Sequence, residues 1–182
     1  GMGFCIFNHV AITARYLQQK YGIHKVLIID FDVHHGNGTQ DIFYEDPSVF
    51  YFSIHQHPLY PGSGRPSEIG SGAGEGTTLN VDLPEGAGDE EFIQGINTYL
   101  IPKMMDFKPE FILVSAGFDA HQGDLLGRLA YTSRGYKEVA KMINSIQKQY
   151  QSKGIIYMLE GGYVSENIED ASRAVIEELF KL

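Results

Sequence analysis

The sequence predicts an α/β fold, and two observations support this prediction. Short apolar runs rich in β-branched and aromatic residues recur along the chain, and each run ends in polar or glycine-rich sequence. Continuous runs of this kind are typical of strands that are buried on both faces of a parallel sheet. The segments between the runs have helical patterning, and strands that alternate with helices indicate an α/β architecture.

The predicted elements follow in order along the chain. A helix at residues 10–21 comes first, and strands are predicted at residues 26–29, 49–54, 111–114 and 155–159. Further helices are predicted at residues 90–105, 133–150 and 166–180, and Thr132 or Ser133 is the expected N-cap of the middle one. Residues 58–88 are rich in glycine around one apolar piece, residues 79–83. We predict a long irregular loop around a single strand, and loops of this length are usually functional.

Composition excludes several classes of function. The chain has 182 residues, and 14 basic residues against 23 acidic ones give a net charge of −9, which disfavours nucleic acid and anionic membranes as partners. No apolar run approaches the roughly 18 residues that a membrane span needs. The single cysteine, Cys5, has apolar neighbours, which predicts that it is buried and inert. We expect one domain at residues 2–182 and a cytoplasmic location.

The strongest candidate for a functional site directly follows the first predicted strand, where residues 30–38 read DFDVHHGNG. In an extended segment the side chains of Asp32 and His34 point the same way, so a carboxylate oxygen and an imidazole nitrogen can converge on one metal ion. An EF-hand calcium loop is excluded, because His35 stands where that loop needs glycine and because the segment follows a strand. A solvated turn with polar caps is the alternative interpretation.

Two further polar segments follow predicted strands. One reads SAGFDAH and contains Asp119, and the other reads EGGY and ends in Tyr163. Because ligands of open α/β sheets bind at the carboxyl ends of strands, Asp119 can share one crevice with Asp32 and His34. Two aspartates and one histidine with an open fourth position match a catalytic zinc site. Taken singly, Asp119 is more often a turn residue and Tyr163 a packing residue. In such a crevice, however, a neutral phenol suits an oxyanion beside a metal.

Six motifs, taken in order, resemble the zinc-dependent histone deacetylase family. The likeness is greatest to its class II-like bacterial branch, which includes acetylpolyamine amidohydrolases and acetoin utilisation proteins. The motifs are Gly3-Phe4-Cys5 with Asn8, Asp30-x-Asp32-x-His34-His35-Gly36-x-Gly38, Ser53-x-His55, Pro61-Gly62-x-Gly64, Gly117-Phe118-Asp119-x-His121 and Glu160-Gly161-Gly162-Tyr163. The resemblance covers essentially the whole chain. It implies a three-layer α/β/α, arginase-like fold with a mainly parallel sheet, of which this chain is the C-terminal portion without the N-terminal strands.

The resemblance also implies roles for individual residues. Asp32, His34 and Asp119 match the zinc ligands of the family, and ferrous iron suits the same donors. Tyr163 matches the tyrosine that hydrogen-bonds the tetrahedral oxyanion. A structural potassium ion would be held by the carboxylates of Asp30 and Asp32, by Ser53 and by the main chain of His34 and Ile54. Phe4 and Tyr60 match the aromatic walls of a substrate tunnel, with Leu126 near its rim.

The implied activity is removal of acetyl groups from acetylated lysine or polyamine-type amines by metal-activated water. A narrow apolar tunnel favours an extended acetylated amine, whose cationic carrier suits the net charge of −9. The general base and acid of the family are two adjacent histidines upstream of Gly3-Phe4-Cys5. We expect them to be absent here, which predicts weak activity or none. A non-catalytic module that binds metal and acyl groups is therefore an alternative. An arginase-like site with two manganese ions is disfavoured, because Gly36 stands at a ligand position.

The expected absence of the upstream segment has a structural consequence as well. By the resemblance, the last predicted strand, at residues 155–159, pairs in the family with strands of the N-terminal segment. Without that segment its outer edge would be bare and apolar, and bare edges tend to pair with another chain. We therefore expect a homodimer that forms through this sheet edge.

Overall fold

A parallel sheet forms the centre of the structure, a computed structural model that describes residues 1–180. The strands are β1 (Val26–Asp30), β2 (Val49–Gln56), β3 (Thr78–Leu83), β4 (Phe111–Ala116) and β5 (Ile155–Leu159). They lie in the order β3-β2-β1-β4-β5, and all neighbours are parallel. Every residue of β1 and β2 is buried, which explains why their sequences are continuous apolar runs and not alternating patterns.

Helices cover both faces of the sheet. They are α1 (His9–Tyr21), α2 (Asn37–Phe43), α3 (Asp89–Gln94), α4 (Ile101–Phe107), α5 (Ser133–Tyr150) and α6 (Ser165–Phe180). Within β1, Ile28 packs in a cluster with apolar residues of α1 and α2, whereas Ile29 packs in a cluster with apolar residues of α3 to α6. The side chains of successive strand residues therefore pack on opposite faces of the sheet. The sheet and the helices on its two faces form three layers, which confirms the predicted α/β/α architecture.

Local sequence signals explain where two of the helices begin and end. The side chain of Asn8 accepts a hydrogen bond from the N–H of Ala11 over 2.9 Å and so caps α1, which ends at Gly22 in a left-handed conformation. Thr132 is the N-cap of α5, as predicted, but its hydroxyl donates to Asp89 over 2.7 Å. That bond ties the start of α5 to the start of α3.

Two elements differ from the sequence prediction. Helix α2 begins where the polar and glycine-rich segment predicted only a turn, and it is stabilised by a buried face that includes Phe43. The helix predicted at residues 90–105 is divided by a π-helical turn, Gly95–Leu100. A Cβ atom at Gly95 would lie 2.3 Å from the side chain of Ile54, so the glycine allows the helix to approach the sheet closely.

Strand β5 forms one edge of the sheet, because in the described part of the chain it pairs only with β4. Ile156 is 37% exposed and Leu159 is 65% exposed, in contrast to the buried interior strands. An apolar open edge was predicted for this strand, and the structure shows one. The homodimer expected from it stays a prediction.

Three further predictions concern membrane-spanning helices, the burial of Cys5 and the bounds of the domain. No helix within residues 1–180 is long and apolar enough to cross a membrane. The prediction that Cys5 is buried is wrong, since its side chain is exposed together with the rest of residues 1–7. This segment lies on the surface, where its apolar residues are not part of either core cluster. The predicted domain, residues 2–182, ends two residues beyond the described part, and its bounds stay a prediction.

Candidate functional site

The candidate site lies at the carboxyl ends of β1 and β4. The chain passes from β1 to β2 on one side of the sheet centre, while β4 and β5 lie on the other side. A topological switch point therefore lies between β1 and β4, and the segments that leave these strands border one crevice. The N–H of Phe31 donates to the carbonyl of Ser115 over 3.2 Å and holds the two segments together where they leave the sheet.

The three predicted metal ligands converge in this crevice. Asp32, His34 and Asp119 each offer one ligand atom, and these atoms all lie within 4.8 Å of one another. The Nδ1 atom of His34 is 3.0 Å from Oδ1 of Asp32 and 3.2 Å from Oδ2 of Asp119. Asp119 is fully buried, and its Oδ2 atom has no well-aligned hydrogen bond from the described residues. A buried oxygen acceptor without a well-aligned donor fits a metal cation.

The electrostatics of the three residues also fit a cation. Burial opposes protonation of His34, but the close contacts of its ring with the carboxylates of Asp119 and Asp32, and their charges, outweigh burial and raise its pKa from 6.5 to about 10. Burial, followed by the charge of Asp32, raises the pKa of Asp119 to about 6. Negative charge is therefore concentrated in a site with little access to water. Two carboxylates and one imidazole are donors that suit zinc and ferrous iron.

Main-chain N–H groups orient the two carboxylates. The N–H of Val33 donates to Oδ1 of Asp119 over 2.9 Å, and the N–H of Gly161 donates to Oδ2 of Asp32 over 2.8 Å. Bonds of this kind fix the direction of a metal ligand. A Cβ atom at Gly161 would lie 2.1 Å from a carboxylate oxygen of Asp119, so only glycine fits here. The sequence indicated a tight turn at this position but not its contact with both aspartates.

Tyr163 borders the same crevice. It follows Gly162 in the segment after β5, and its half-buried ring meets the ring of Phe4 edge-on, with 6.3 Å between the centroids. Burial and the charges of Asp119 and Asp32 raise the pKa of Tyr163 to about 12. The phenol is therefore protonated at neutral pH and can donate a hydrogen bond.

The predicted tunnel residues lie around the mouth of the crevice. The ring of Tyr60 is 6.3 Å from the ring of His34, and Phe4 is the aromatic neighbour of Tyr163. Leu126 lies in the loop between β4 and α5. All three side chains are exposed, Phe4 by 88%, Tyr60 by 53% and Leu126 by 42%. The two aromatic rings thus flank the metal ligands at the surface, and their role in a tunnel stays a prediction.

The predicted potassium ligands lie at and after the end of β1 and at the neighbouring positions of β2. Asp30 and Ser53 are paired neighbours in the sheet, and both are buried. The carboxylate of Asp30 accepts a hydrogen bond from the hydroxyl of Tyr51 over 2.9 Å and one from the N–H of Asp32 over 3.2 Å. Burial, followed by the charge of Asp32, raises the pKa of Asp30 well above its ordinary range. A second cation next to this carboxylate would offset the cost of its burial.

A buried histidine pair near the site was not predicted. The rings of His35 and His55 have centroids 4.8 Å apart. His55 hydrogen-bonds the hydroxyl of Ser53 at 2.9 Å and the carbonyl of Gly64 at 3.0 Å, and burial lowers its pKa to about 3. The neutral ring therefore ties the loop that contains Tyr60 to the sheet. Both histidines lie in motifs of the resemblance, but no role was predicted for either of them.

Comparison with known proteins gives matches over nearly the whole chain. The model of the histone deacetylase domain matches residues 1–179. Histone deacetylase 14, chloroplastic, of Arabidopsis thaliana is 47% identical over 181 residues, which cover 97% of this chain and 43% of that protein. A probable deacetylase of Archaeoglobus fulgidus is 45% identical over 166 residues, which cover 91% of this chain and 46% of that protein.

The crystal structure of the HDA15 HD domain has the same fold. It superposes with a TM-score of 0.91 at 41% sequence identity, covering 100% of this chain and 51% of that chain. This similarity confirms the predicted deacetylase-like, three-layer fold. The chain spans less than half the length of the two relatives named above. Because the domain model matches nearly the whole chain and the fold agrees, the chain belongs to the histone deacetylase family.

Proposed function

We propose that the site is that of a zinc-dependent amidohydrolase that removes acetyl groups from acetylated lysine or polyamine-type amines. The observation that supports this most directly is the convergence of Asp32, His34 and Asp119 within 4.8 Å in a strand-end crevice. These residues would hold the metal, which supplies polarisation of the scissile carbonyl and a lowered pKa of bound water. Membership of the histone deacetylase family supports hydrolytic deacetylation. The identity of the metal and the class of substrate are our proposals.

Tyr163 has the second role in this proposal. Negative charge develops on the carbonyl oxygen as water attacks, and the phenol donates a hydrogen bond to that oxygen. With a pKa of about 12, Tyr163 keeps its proton at neutral pH and is ready to donate it. Removal of one donor of this kind typically reduces turnover by about 10²–10³-fold.

Water must also lose a proton during the attack. In the family, by the resemblance described above, two adjacent histidines upstream of Gly3-Phe4-Cys5 do this. A positioned general base contributes about 10²–10⁴-fold to the rate. We therefore propose that residues 1–182 supply the metal ligands and the oxyanion donor, and that proton transfer from water is a separate requirement of the reaction.

The surroundings of the site support a cationic acetylated amine as the substrate. The rings of Phe4 and Tyr60 flank the metal ligands and can contact an extended alkyl chain from two sides. The net charge of −9 attracts the positive carrier of such a chain. A cytoplasmic location stays a prediction, and the Arabidopsis relative is named as chloroplastic.

We propose in addition a structural potassium ion beside the catalytic metal. Its ligands would be the carboxylates of Asp30 and Asp32, the hydroxyl of Ser53 and the main-chain oxygens of His34 and Ile54. The buried carboxyl of Asp30, next to Ser53 in the sheet, supports this proposal, because its ionised form is costly to bury without a compensating cation.

The metal content of the chain after dialysis against metal-free buffer tests the main proposal. We expect about one zinc ion per chain, held by three protein ligands. Asp119→Asn should lose most of it, whereas the control Asp106→Ala, which changes an exposed acid on α4, should keep it. A hydroxamate analogue of acetyl-lysine should then bind only to the zinc-loaded chain.

Other results would contradict the proposal in distinguishable ways. A chain that retains no zinc would overturn the metal site. Two bound manganese ions per chain would favour the arginase-like alternative. A zinc-loaded chain that binds an acetyl-lysine peptide but releases no acetate, even with an added base, would favour the non-catalytic binding module.

A further inference from the structure

We propose that Asp124 is a positioning residue that holds Tyr163 in place for the reaction, an inference that rests on the proposed function. The N–H of Tyr163 donates to Oδ2 of Asp124 over 3.0 Å. The other carboxylate oxygen, Oδ1, accepts the N–H of Leu126 over 2.9 Å. The carboxylate of Asp124 therefore binds the main chain at two places: at Tyr163, the proposed hydrogen-bond donor to the oxyanion, and at Leu126, near the predicted rim of the substrate tunnel.

The bond to Asp124 continues the attachment of the segment that contains Tyr163. Main-chain bonds from Phe118 to Gly161, over 2.8 Å, and from Glu160 to Ala116, over 3.1 Å, fix the chain as far as residue 161. Gly162 follows with φ 143°, a backbone conformation that L side chains rarely adopt. The bond to Asp124 is the next main-chain attachment after this turn and so helps to set the direction in which the phenol leaves the main chain.

The loop of Asp124 is itself held at its base. The N–H of Asp124 donates to the carbonyl of His121 over 3.1 Å, and the ring nitrogen of His121 lies 3.0 Å from the carbonyl of Gln122. The side chain of Asn167, in α6, donates to the same carbonyl of Gln122 over 3.3 Å. Asp124 is therefore a fixed acceptor on the loop after β4, the strand that also leads to the metal ligand Asp119.

Charge and geometry both favour this role over a purely structural one. A bond from a main-chain N–H to a carboxylate is shorter and stronger than one to a neutral acceptor. Asp124 supplies none of the three converging ligand atoms of the metal cluster, so its loss should leave metal binding intact. A displacement of a catalytic group by about 1 Å can cost about 10²-fold in rate, so a loosened Tyr163 would be a poor oxyanion donor.

The test compares Asp124→Ala, Asp124→Asn, Tyr163→Phe and the double variant Asp124→Ala with Tyr163→Phe. The probe is a trifluoromethyl ketone analogue of acetyl-lysine, whose hydrated carbonyl presents an oxygen to the phenol, and the zinc-loaded 182-residue chain is titrated by calorimetry. We expect Asp124→Ala and Tyr163→Phe each to weaken probe binding by about 10-fold, about the loss of one hydrogen bond to a charged group. The double variant should bind no more weakly than Tyr163→Phe, because the two residues act as one unit.

A second measurement does not depend on metal or probe. Asp124→Ala should accelerate hydrogen exchange of the Tyr163 amide at least 10-fold, as measured by NMR in the metal-free chain. Asp124→Asn keeps only one of the two oxygen acceptors, so one of the N–H groups of Tyr163 and Leu126 loses its partner, and both the protection and the probe affinity should be intermediate. Asp106→Ala is the matched control, and the zinc content should be the same in all variants except those that unfold. If Asp124→Ala unfolds the chain, the test rests on Asp124→Asn. Faster hydrogen exchange of the Tyr163 amide and weaker probe binding in Asp124→Asn would support the positioning role, and unchanged values would overturn it.

The outcomes separate this inference from the proposed function. If Tyr163→Phe weakens probe binding and Asp124→Ala does not, the positioning role is wrong and the proposed function stands. Losses in the double variant that add fully would likewise overturn the role, because the two residues would then act independently. If the zinc-loaded chain does not bind the probe, or if Tyr163→Phe binds it unchanged, the role of Tyr163 itself fails and the inference fails with it.

Discussion

The main-chain N–H of Gly161 donates to Oδ2 of Asp32 over 2.8 Å, a bond between two strand-end segments that lie 129 residues apart in the sequence. The same glycine lies against Asp119, where a Cβ atom would be 2.1 Å from Oδ2. Both aspartates are metal ligands in the proposed site. Because Gly161 lies against both carboxylates, it limits the positions that they can take relative to each other. A side chain at this position would have to displace the ligands or its own segment.

Gly161→Ala should therefore weaken zinc binding by about 10–100-fold, the usual effect of disturbing groups that orient metal ligands. The dissociation constant, measured by competition with a chromophoric chelator, checks this. Gly38→Ala is the matched control, because the nearest atom to a Cβ there, a side-chain nitrogen of Asn8, is 3.9 Å away. Equal zinc affinity in Gly161→Ala and the unaltered chain would show that the close approach is not needed.

Added imidazole should accelerate acetate release by the 182-residue chain. The proposed site has metal ligands and an oxyanion donor, and a small base from solution can take the proton from water. We expect the rate to rise with the concentration of neutral imidazole, measured as acetate released from an acetyl-lysine peptide. Tyr163→Phe should remain slow at every imidazole concentration, since its missing donor is not replaced. A rate that is already fast without imidazole would show that the chain supplies its own base.

The strand positions and the clustering of Asp32, His34 and Asp119 could be predicted from the sequence for the same physical reason. Burial on both faces makes strands such as β2 continuous apolar runs, and side chains at the ends of parallel strands meet at one edge of the sheet. Asp32 and Asp119 could therefore be assigned to one crevice before the fold was known. Helix α2 could not be predicted from the sequence, because its residues have weak helical propensity and the helix is stabilised by tertiary packing.

The contacts that orient the site could not be predicted, because they join distant segments of the chain. The bond from Tyr163 to Asp124 spans 39 residues, and the bond from Gly161 to Asp32 spans 129. Neither partner has a local pattern that indicates the other. The exposure of Cys5 was missed for a related reason, since apolar neighbours in the sequence predict burial only if the segment joins a core.

Potassium should stabilise the chain if the second cation site exists. Binding to the folded state alone adds about 2.7 kcal/mol at a concentration 100 times the dissociation constant. We expect a higher melting temperature in potassium chloride than in tetramethylammonium chloride at the same ionic strength. The difference should disappear in Asp30→Asn, which removes the buried charge but keeps a side chain of the same shape. Equal melting temperatures of the unaltered chain in the two salts would contradict the site.

Glu68 should stabilise the loop near the site in a manner that depends on pH. Burial opposes its ionisation, but bonds from the N–H of Arg65, the side chain of Gln40 and the N–H of Gly64 outweigh burial and lower the pKa of Glu68 below its ordinary 4.5. A depressed pKa in the folded state means stability that is fully present above pH 4.5 and is lost as the pH falls through the folded value.

The variant Glu68→Gln should therefore be less stable than the unaltered chain at pH 7, and the difference should shrink as the pH falls below 4.5. The exposed part of the carboxylate is screened by water, so the difference at pH 7 should be small, about 1 kcal/mol. Urea unfolding at a series of pH values measures it. A difference that does not change with pH would assign the effect to packing and not to the charge.

Strand β5 should make the 182-residue chain associate with itself. Within the described residues, β5 pairs only with β4, and the N–H of Ile112 donates to the carbonyl of Gly154 over 3.1 Å. Main-chain groups alternate in direction along a strand, so those of Ile155, Tyr157 and Leu159 point away from β4. Unpaired groups next to exposed apolar side chains are what another strand can pair with.

We expect sedimentation velocity to show a dimer that dissociates on dilution, and Leu159→Lys should shift the chain to a monomer, because a charge in the pairing edge opposes close approach of a second strand. Met105→Lys is the matched control, since Met105 is an exposed apolar residue on α4 with 66% exposure against 65% for Leu159. Melting temperatures should show that both variants remain folded. A chain that is monomeric at every concentration, with Leu159 unaltered, would show that the open edge of β5 does not pair and that its exposure alone is insufficient for association.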